Sequence, residues 1–225
     1  MSIDLLSLVH ILTGTLALAG GVLAFAAPKG RPWHRRGGRV FFWAMLVSAV
    51  SGSILGLLEP ARLLITALAG VLTLYLLVSS WRAARNPSGA FEKTDGLLFA
   101  LLLLLLLGLG GLGSLALQQP DGRLMGFVAE DYLMLAIMGS PAAISDITLV
   151  FRKRMSDRHR IARHLWRMGL AFFIAVGSAF TGPGASIFPE ALRASGMLAL
   201  PEAVTAVLIL FWLVRTVFNR LRLEK

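Results

Sequence analysis

Residues 10–36 read HILTGTLALAGGVLAFAAPKGRPWHRR. An apolar run from Ile11 to Ala27 separates two histidines, and Lys29, Arg31, Arg35, Arg36 and Arg39 crowd around the second. The 24 residues from His10 to His34 measure about 36 Å along a helix rising ~1.5 Å per residue. A hydrocarbon layer is only ~30 Å thick. The stretch therefore reads as one membrane crossing, with its imidazoles at opposite faces and unable to share a ligand.

The rest of the chain has the same texture. Its 225 residues are 56% hydrophobic and 15% charged, against ~45–50% and ~25% for a soluble domain. The mean hydropathy is +0.75. Apolar residues arrive in blocks long enough to cross lipid, and these predict spans near 4–27, 40–58, 63–81, 96–117, 127–150, 167–183 and 201–218. The expectation is an all-α, seven-transmembrane-helix bundle forming a single domain over residues 1–225. Short breaks such as Glu59-Pro60-Ala61-Arg62 make neighbours in sequence antiparallel. The opening MSIDLLS carries an acid and no base; a secretory leader starts basic, so the first span is expected to be retained. There is no cysteine, which excludes disulfides, thiolate metal sites and cysteine nucleophiles.

A net charge of +10 would ordinarily raise nucleic acid as a partner, but the placement of the charges argues otherwise. Nineteen of the 22 Lys and Arg fall in 28–39, 82–95, 151–167 and the end from Arg215; only Arg62, Arg123 and Arg193 fall in the alternate breaks. The positive-inside rule then puts the amino terminus outside and the carboxyl terminus in the cytoplasm. Trp33, Trp43, Trp81, Trp166 and Trp212 all lie near the same side, as an aromatic belt would. The basic excess thus implies anionic lipid at the cytoplasmic face and no nucleic acid.

His10, Gly14, Ala17, Gly21 and Ala24 share one helical face. Small residues in a stripe let a second helix approach closely, and Ala44, Ser48, Gly52 and Gly56 offer a matching stripe on the second span. His10 should point into the bundle, either as a packing histidine or as a ligand or proton-exchanging group. These residues carry a resemblance. The pattern H-x3-G-x2-A-x3-G, the basic KG…HRR turn and the Ser- and Gly-rich second span resemble an uncharacterised family of bacterial multi-spanning membrane proteins, a domain of unknown function. The likeness covers residues 10–56, and HRIARHLWRMGLAFF is similar to that family's basic lead into a late span. It implies a shared topology in a bacterial inner membrane and no established reaction.

The fifth span offers the second candidate site. Asp131 and Asp146 lie 15 residues apart, only ~60° apart in direction on a helix of ~3.6 residues per turn. Gly139-Ser140-Pro141 interrupts the span between them, and the proline frees a carbonyl. An acid near each end of a broken helix suits an ion or proton path. The alternative is structural: Asp131 at a helix amino terminus and Asp146 paired with an arginine. We expect His10 and Asp131 to form one polar cluster in the outer half.

His34, His159 and His164 gather with Asp95, Asp146 and Asp157 on the basic side. Three imidazoles and an acid could hold a catalytic zinc, but the five-residue step from His159 to His164 spoils a shared helical face and seven cations surround them. A haem b held by His34 and His164, or an outer one held by His10 with Met134 or Met125, is the other cofactor reading. Phosphate-loop, H-E-x-x-H and G-x-S-x-G motifs are absent. Gly108, Gly110, Gly111 and Gly113 suggest a tightly packed end to the fourth span, and PEALRASG at 189–196 a short interfacial helix. The sequence favours a non-enzymatic protein that binds or passes a small solute or proton, or serves as a subunit of a membrane complex. The alternative is a haem- or metal-dependent oxidoreductase or hydrolase using the histidines.

Overall fold

A computed structural model describes residues 3–218. The protein is 84% helical. Seven helices are long and apolar enough to cross a membrane: α1 (Ile3–Ala26), α2 (Pro32–Leu58), α3 (Pro60–Arg85), α4 (Lys93–Leu117), α5 (Ala129–Arg152), α6 (Asp157–Phe180) and α8 (Leu200–Phe218). Helix α7 (Glu190–Ala194) is the short helix expected in PEALRASG. A two-residue antiparallel hairpin, β1 (Arg123–Leu124) with β2 (Phe127–Val128), leads into α5.

The helices outrun the hydropathy spans at their charged ends. Helix α2 begins at Pro32 rather than near 40, and α6 at Asp157 rather than near 167. Arginine and lysine are good helix formers, so a helix continues where its apolar run stops. Pro32 starts α2, where a missing N–H costs nothing. Ser156 caps α6 by accepting from the His159 N–H at 3.4 Å. The stretch 157–167 is therefore helix and not loop, which redirects its arginines.

Helix α1 packs on α2, α2 on α3, α3 on α6, α6 on α8, and α4 on α5. The predicted stripes are buried at Ala17, Gly21, Ala44, Ser48, Gly52 and Gly56, but only part of them meets across α1–α2. Gly14 faces Ser48 and Gly52 faces His10, while Gly21 faces Phe172 of α6 and Gly56 faces Leu63 and Ala67 of α3. The main core centres on Phe172 of α6, whose ring lies against Phe25 and Phe41 at 5.3 and 5.8 Å between centroids. That ring occupies the space a side chain at Gly21 would need. A second core joins α3, α4 and α5 around Tyr132, Leu109 and Leu135. Outward faces of α1, α4 and α8 carry exposed Leu, Val and Phe, as lipid contact requires.

The glycines that close α4 do not form the packed end expected of them. Only Gly113 meets a neighbour, Leu133, while Gly108, Gly110 and Gly111 face open space. Helix α4 has a close partner, α5, on one side only. Pro141 sits inside a continuous α5. The carbonyl its ring leaves without an amide donor, that of Ile137, accepts the Ser140 hydroxyl at 2.9 Å.

Direct contacts bring the basic stretches together at one end. Lys29 Nζ stands 4.2 Å over the Trp212 ring. Phe91 N–H donates to Lys153 O at 2.9 Å and Met155 N–H to Gly89 O at 2.8 Å, so the 86–92 and 153–156 turns are laced. Arg36, Arg85 and Arg215 stand over Trp33, Trp81 and Trp212; the indoles offer faces to cations.

Candidate functional site

Asp146 comes off the inward face of α5 and is 3% exposed. An ionised carboxylate at that depth needs partners, and three side chains supply them. Arg163 and Arg167, one turn apart on α6, reach Oδ1 through their Nη2 atoms at 2.7 and 2.5 Å. The Tyr75 hydroxyl of α3 donates to Oδ2. Arg163 and Arg167 are themselves 5% and 0% exposed. The backbones of α5 and α6 are not packed closely; these long side chains span the gap.

The secondary partners are informative. Arg163 Nη1 donates to Ser145 Oγ at 3.3 Å. Arg167 Nη2 also reaches Ala142 O at 3.2 Å, and its guanidinium lies 5.4 Å from the Tyr75 ring centre and 5.3 Å from that of Trp166. Arg167 Nε and Nη1 are buried without an acceptor. Two guanidinium cations thus share one carboxylate, which leaves a surplus positive charge and two orphan donors inside the bundle. Cation–π contact offsets part of that cost; a buried charge without full pairing is otherwise expensive.

Of the residues singled out in the sequence, Asp146 is the one at this centre. The alternative that paired it with an arginine is what the structure holds, with two arginines buried rather than reaching for the interface. The expected His10–Asp131 cluster is not formed. Asp131 accepts the Val128 N–H at 3.2 Å and caps α5, while His10 lies on α1, whose main packing partners are α2 and α6. His10 Nδ1 donates to Ser48 O at 2.8 Å, and Ser48 Oγ returns a bond to His10 O at 3.2 Å. Its ring fills the space left by Gly52, where a Cβ would come within 2.8 Å of Cε1. Met134 and Met125 are largely exposed and lie on α5 and the hairpin before it, so they are no partners to His10.

The basic-end histidines do not converge on one point. His34 Nδ1 donates to Ala24 O at 2.9 Å. His159 Nδ1 meets Ser156 Oγ at 3.0 Å. Ser80 Oγ donates to His164 O at 2.8 Å and meets His164 Nδ1 at 3.0 Å, so the ring N–H is the donor in the second contact. No group of three His, Asp or Glu side chains is placed to share a metal among the described residues. His10, His34 and His164 nevertheless share one feature: each spends its Nδ1–H on a neighbouring helix, and Nε2 has no hydrogen bond among the described residues.

Lys29, in the turn between α1 and α2, donates to Phe25 O at 2.7 Å and Ala24 O at 3.1 Å. Burial lowers its pKa from 10.5 to about 8. Between those values the folded protein holds the neutral amine and the unfolded chain the charged one, so stability rises with pH across that window and is flat below it. Acylation of Lys29 should therefore be half-maximal near pH 8. Mass-spectrometric site mapping against pH checks this, and a Lys29 profile half-maximal near its ordinary value of 10.5 would refute it.

Residues 7–92 match the model of a family described as "Predicted membrane protein (DUF2306)". The match takes in nearly all of the first three helices and the α1–α2 histidine seam. The stretch 159–173, which carried the second part of the resemblance, lies beyond it. No curated protein and no solved structure matches the chain.

Proposed function

We propose that this membrane protein is non-enzymatic and binds a small anionic solute at the arginine-rich centre on α5 and α6, passing it between the two faces. The observation that supports this reading is the surplus guanidinium: Arg167 is fully buried with Nε and Nη1 unpaired beside an already shared Asp146. An anion would neutralise the extra charge and take both donors, and a charge-assisted bond is about twice as strong as a neutral one. Intramembrane charges of this kind ordinarily mark a solute or proton path. In the orientation suggested by the charge count, in a bacterial inner membrane, the basic end faces the cytoplasm and meets anionic lipid there. A place as a subunit of a larger complex is compatible with the same centre.

The test is flux into reconstituted vesicles for a panel of chloride, acetate, sulfate and phosphate, comparing the native chain with Arg167→Met. The expected result is flux of at least one anion above that of empty vesicles, lowered at least tenfold in the variant while its helical content and elution are unchanged. Absence of flux for the whole panel, or equal flux in the variant, contradicts the reading.

One observation favours a second reading. His34 and His164 lie on α2 and α6, and the bonds made by their Nδ1 atoms leave Nε2 to act as a ligand, the arrangement that orients metal-binding imidazoles. These two would hold a haem b or a single metal ion. A Soret band after incubation with hemin that is lost in His164→Ala supports it; an unchanged spectrum removes it.

A further inference from the structure

A cavity of about 390 Å³ opens between α5, α6 and α8 at the basic end. Its cationic lining is Arg152, Arg154 and Arg163, joined by the His159 ring and the hydroxyls of Ser145 and Thr148; no acid lines it among the described residues. We infer that this cavity binds a phosphate-bearing anion, with Arg163 as the shared wall between it and the Asp146 centre. The inference rests on reading that centre as an anion site and names the chemistry it admits.

Three features carry it. Arg163 is 5% exposed, and its Nη1 and Nη2 are taken by Ser145 and Asp146; its Nε has no hydrogen bond among the described residues. Arg152 has neither a hydrogen bond nor an ion pair among the described residues, and Arg154 spends only Nε, on Ser88 O at 3.0 Å. Guanidinium forks fit the oxygens of phosphate two at a time, and several forks around one cavity suit a polyvalent tetrahedral anion better than chloride. Ser145 Oγ accepts from Arg163 and keeps its proton to donate.

Leu149, Trp166 and Leu213 line the same cavity, so an apolar stem could accompany the charged group. The phosphate could thus be free or belong to the headgroup of an anionic lipid. The experiment separates the two on the full chain in uncharged detergent. Inorganic phosphate is titrated by calorimetry against chloride at matched ionic strength, and lipid retention is read by native mass spectrometry after exposure to phosphatidylcholine vesicles with or without phosphatidylglycerol.

Saturable binding of phosphate over chloride supports the site with a free ligand; selective retention of phosphatidylglycerol supports it with a headgroup. In either case Arg152→Gln together with Arg154→Gln, both exposed at the rim and outside the Asp146 cluster, should weaken binding at least tenfold, while Arg152→Lys retains part of it. Binding of neither probe, or equal binding by the double variant, overturns the inference. Phosphate binding without flux of any anion would instead overturn the proposed function and leave this site standing. Flux of acetate or chloride with no phosphate or lipid binding would do the reverse.

Discussion

Replacing Asp146 by alanine should destabilise the protein by about 3–5 kcal/mol, the usual cost of leaving a buried charge without its partner. Here the cost falls on two guanidinium groups at once, since Arg163 and Arg167 both rest on Oδ1, and the Tyr75 hydroxyl loses its acceptor as well. Asp146→Asn keeps an acceptor oxygen but not the charge, so it should fall between alanine and the native chain. Arg167→Met should behave differently. It leaves Asp146 bonded to Arg163 and Tyr75, removes two orphan donors, and fills the space with an apolar stem. No buried charge loses its last partner, so the cost of about 3–5 kcal/mol for an uncompensated charge does not arise. Reversible unfolding in mixed micelles ranks the three. Equal losses for Asp146→Ala and Arg167→Met would show that the surplus charge has been misassigned.

The second large effect is expected at the α2–α3 seam. A Cβ at Gly56 would overlap Leu63 O and lie 2.8 Å from the Ala67 backbone nitrogen. Main chain cannot swing away as a side chain can, so Gly56→Ala must push the two helices apart. Overpacking of this kind costs about 1–3 kcal/mol, occasionally more. Gly108→Ala on α4 is the matched control: nothing lies within 4 Å, and the alanine gains up to about 1 kcal/mol in helix propensity. Opposite signs for the two substitutions, measured by the same unfolding assay, are the expected outcome. A loss at Gly108 as large as that at Gly56 would refute the packing assigned to α4.

Much of the fold is legible in the sequence because hydropathy reports burial in lipid directly. The seven apolar blocks mark the seven helices, and the small-residue stripes mark close helix contacts, at the α1–α2 seam for Gly14 and Gly52 but against α6 for Gly21 and α3 for Gly56. What hydropathy misses is the helix beyond its apolar part. Arg163 and Arg167 read as loop cations because the sixth apolar block begins near 167, yet Ser156 starts the helix ten residues earlier and turns both arginines toward α5. Their four-residue spacing was the available signal. Tyr75 gave none, since a tyrosine within an apolar run looks like core. Pairing His10 with Asp131 failed for another reason. Sequence fixes the depth of a residue along its helix, but it does not say which helices are neighbours, and here α1 meets α2 while α5 meets α4.

The same limit shaped the reading of histidine. Its position on a small-residue face was visible for His10, but the bonds that occupy Nδ1 come from backbone carbonyls of other helices, Ser48 for His10 and Ala24 for His34. Carbonyl acceptors leave no trace in residue identity.

The coupling between Asp146 and Arg167 tests the account most directly. A double-mutant cycle of Asp146→Ala, Arg167→Met and their combination, followed by reversible unfolding, should give an interaction energy of about 2–3 kcal/mol, the upper range for residues in one ion-pair network. Additivity within about 0.5 kcal/mol would mean that the two side chains do not meet inside the bundle, and the charged centre on α5 and α6 would not exist.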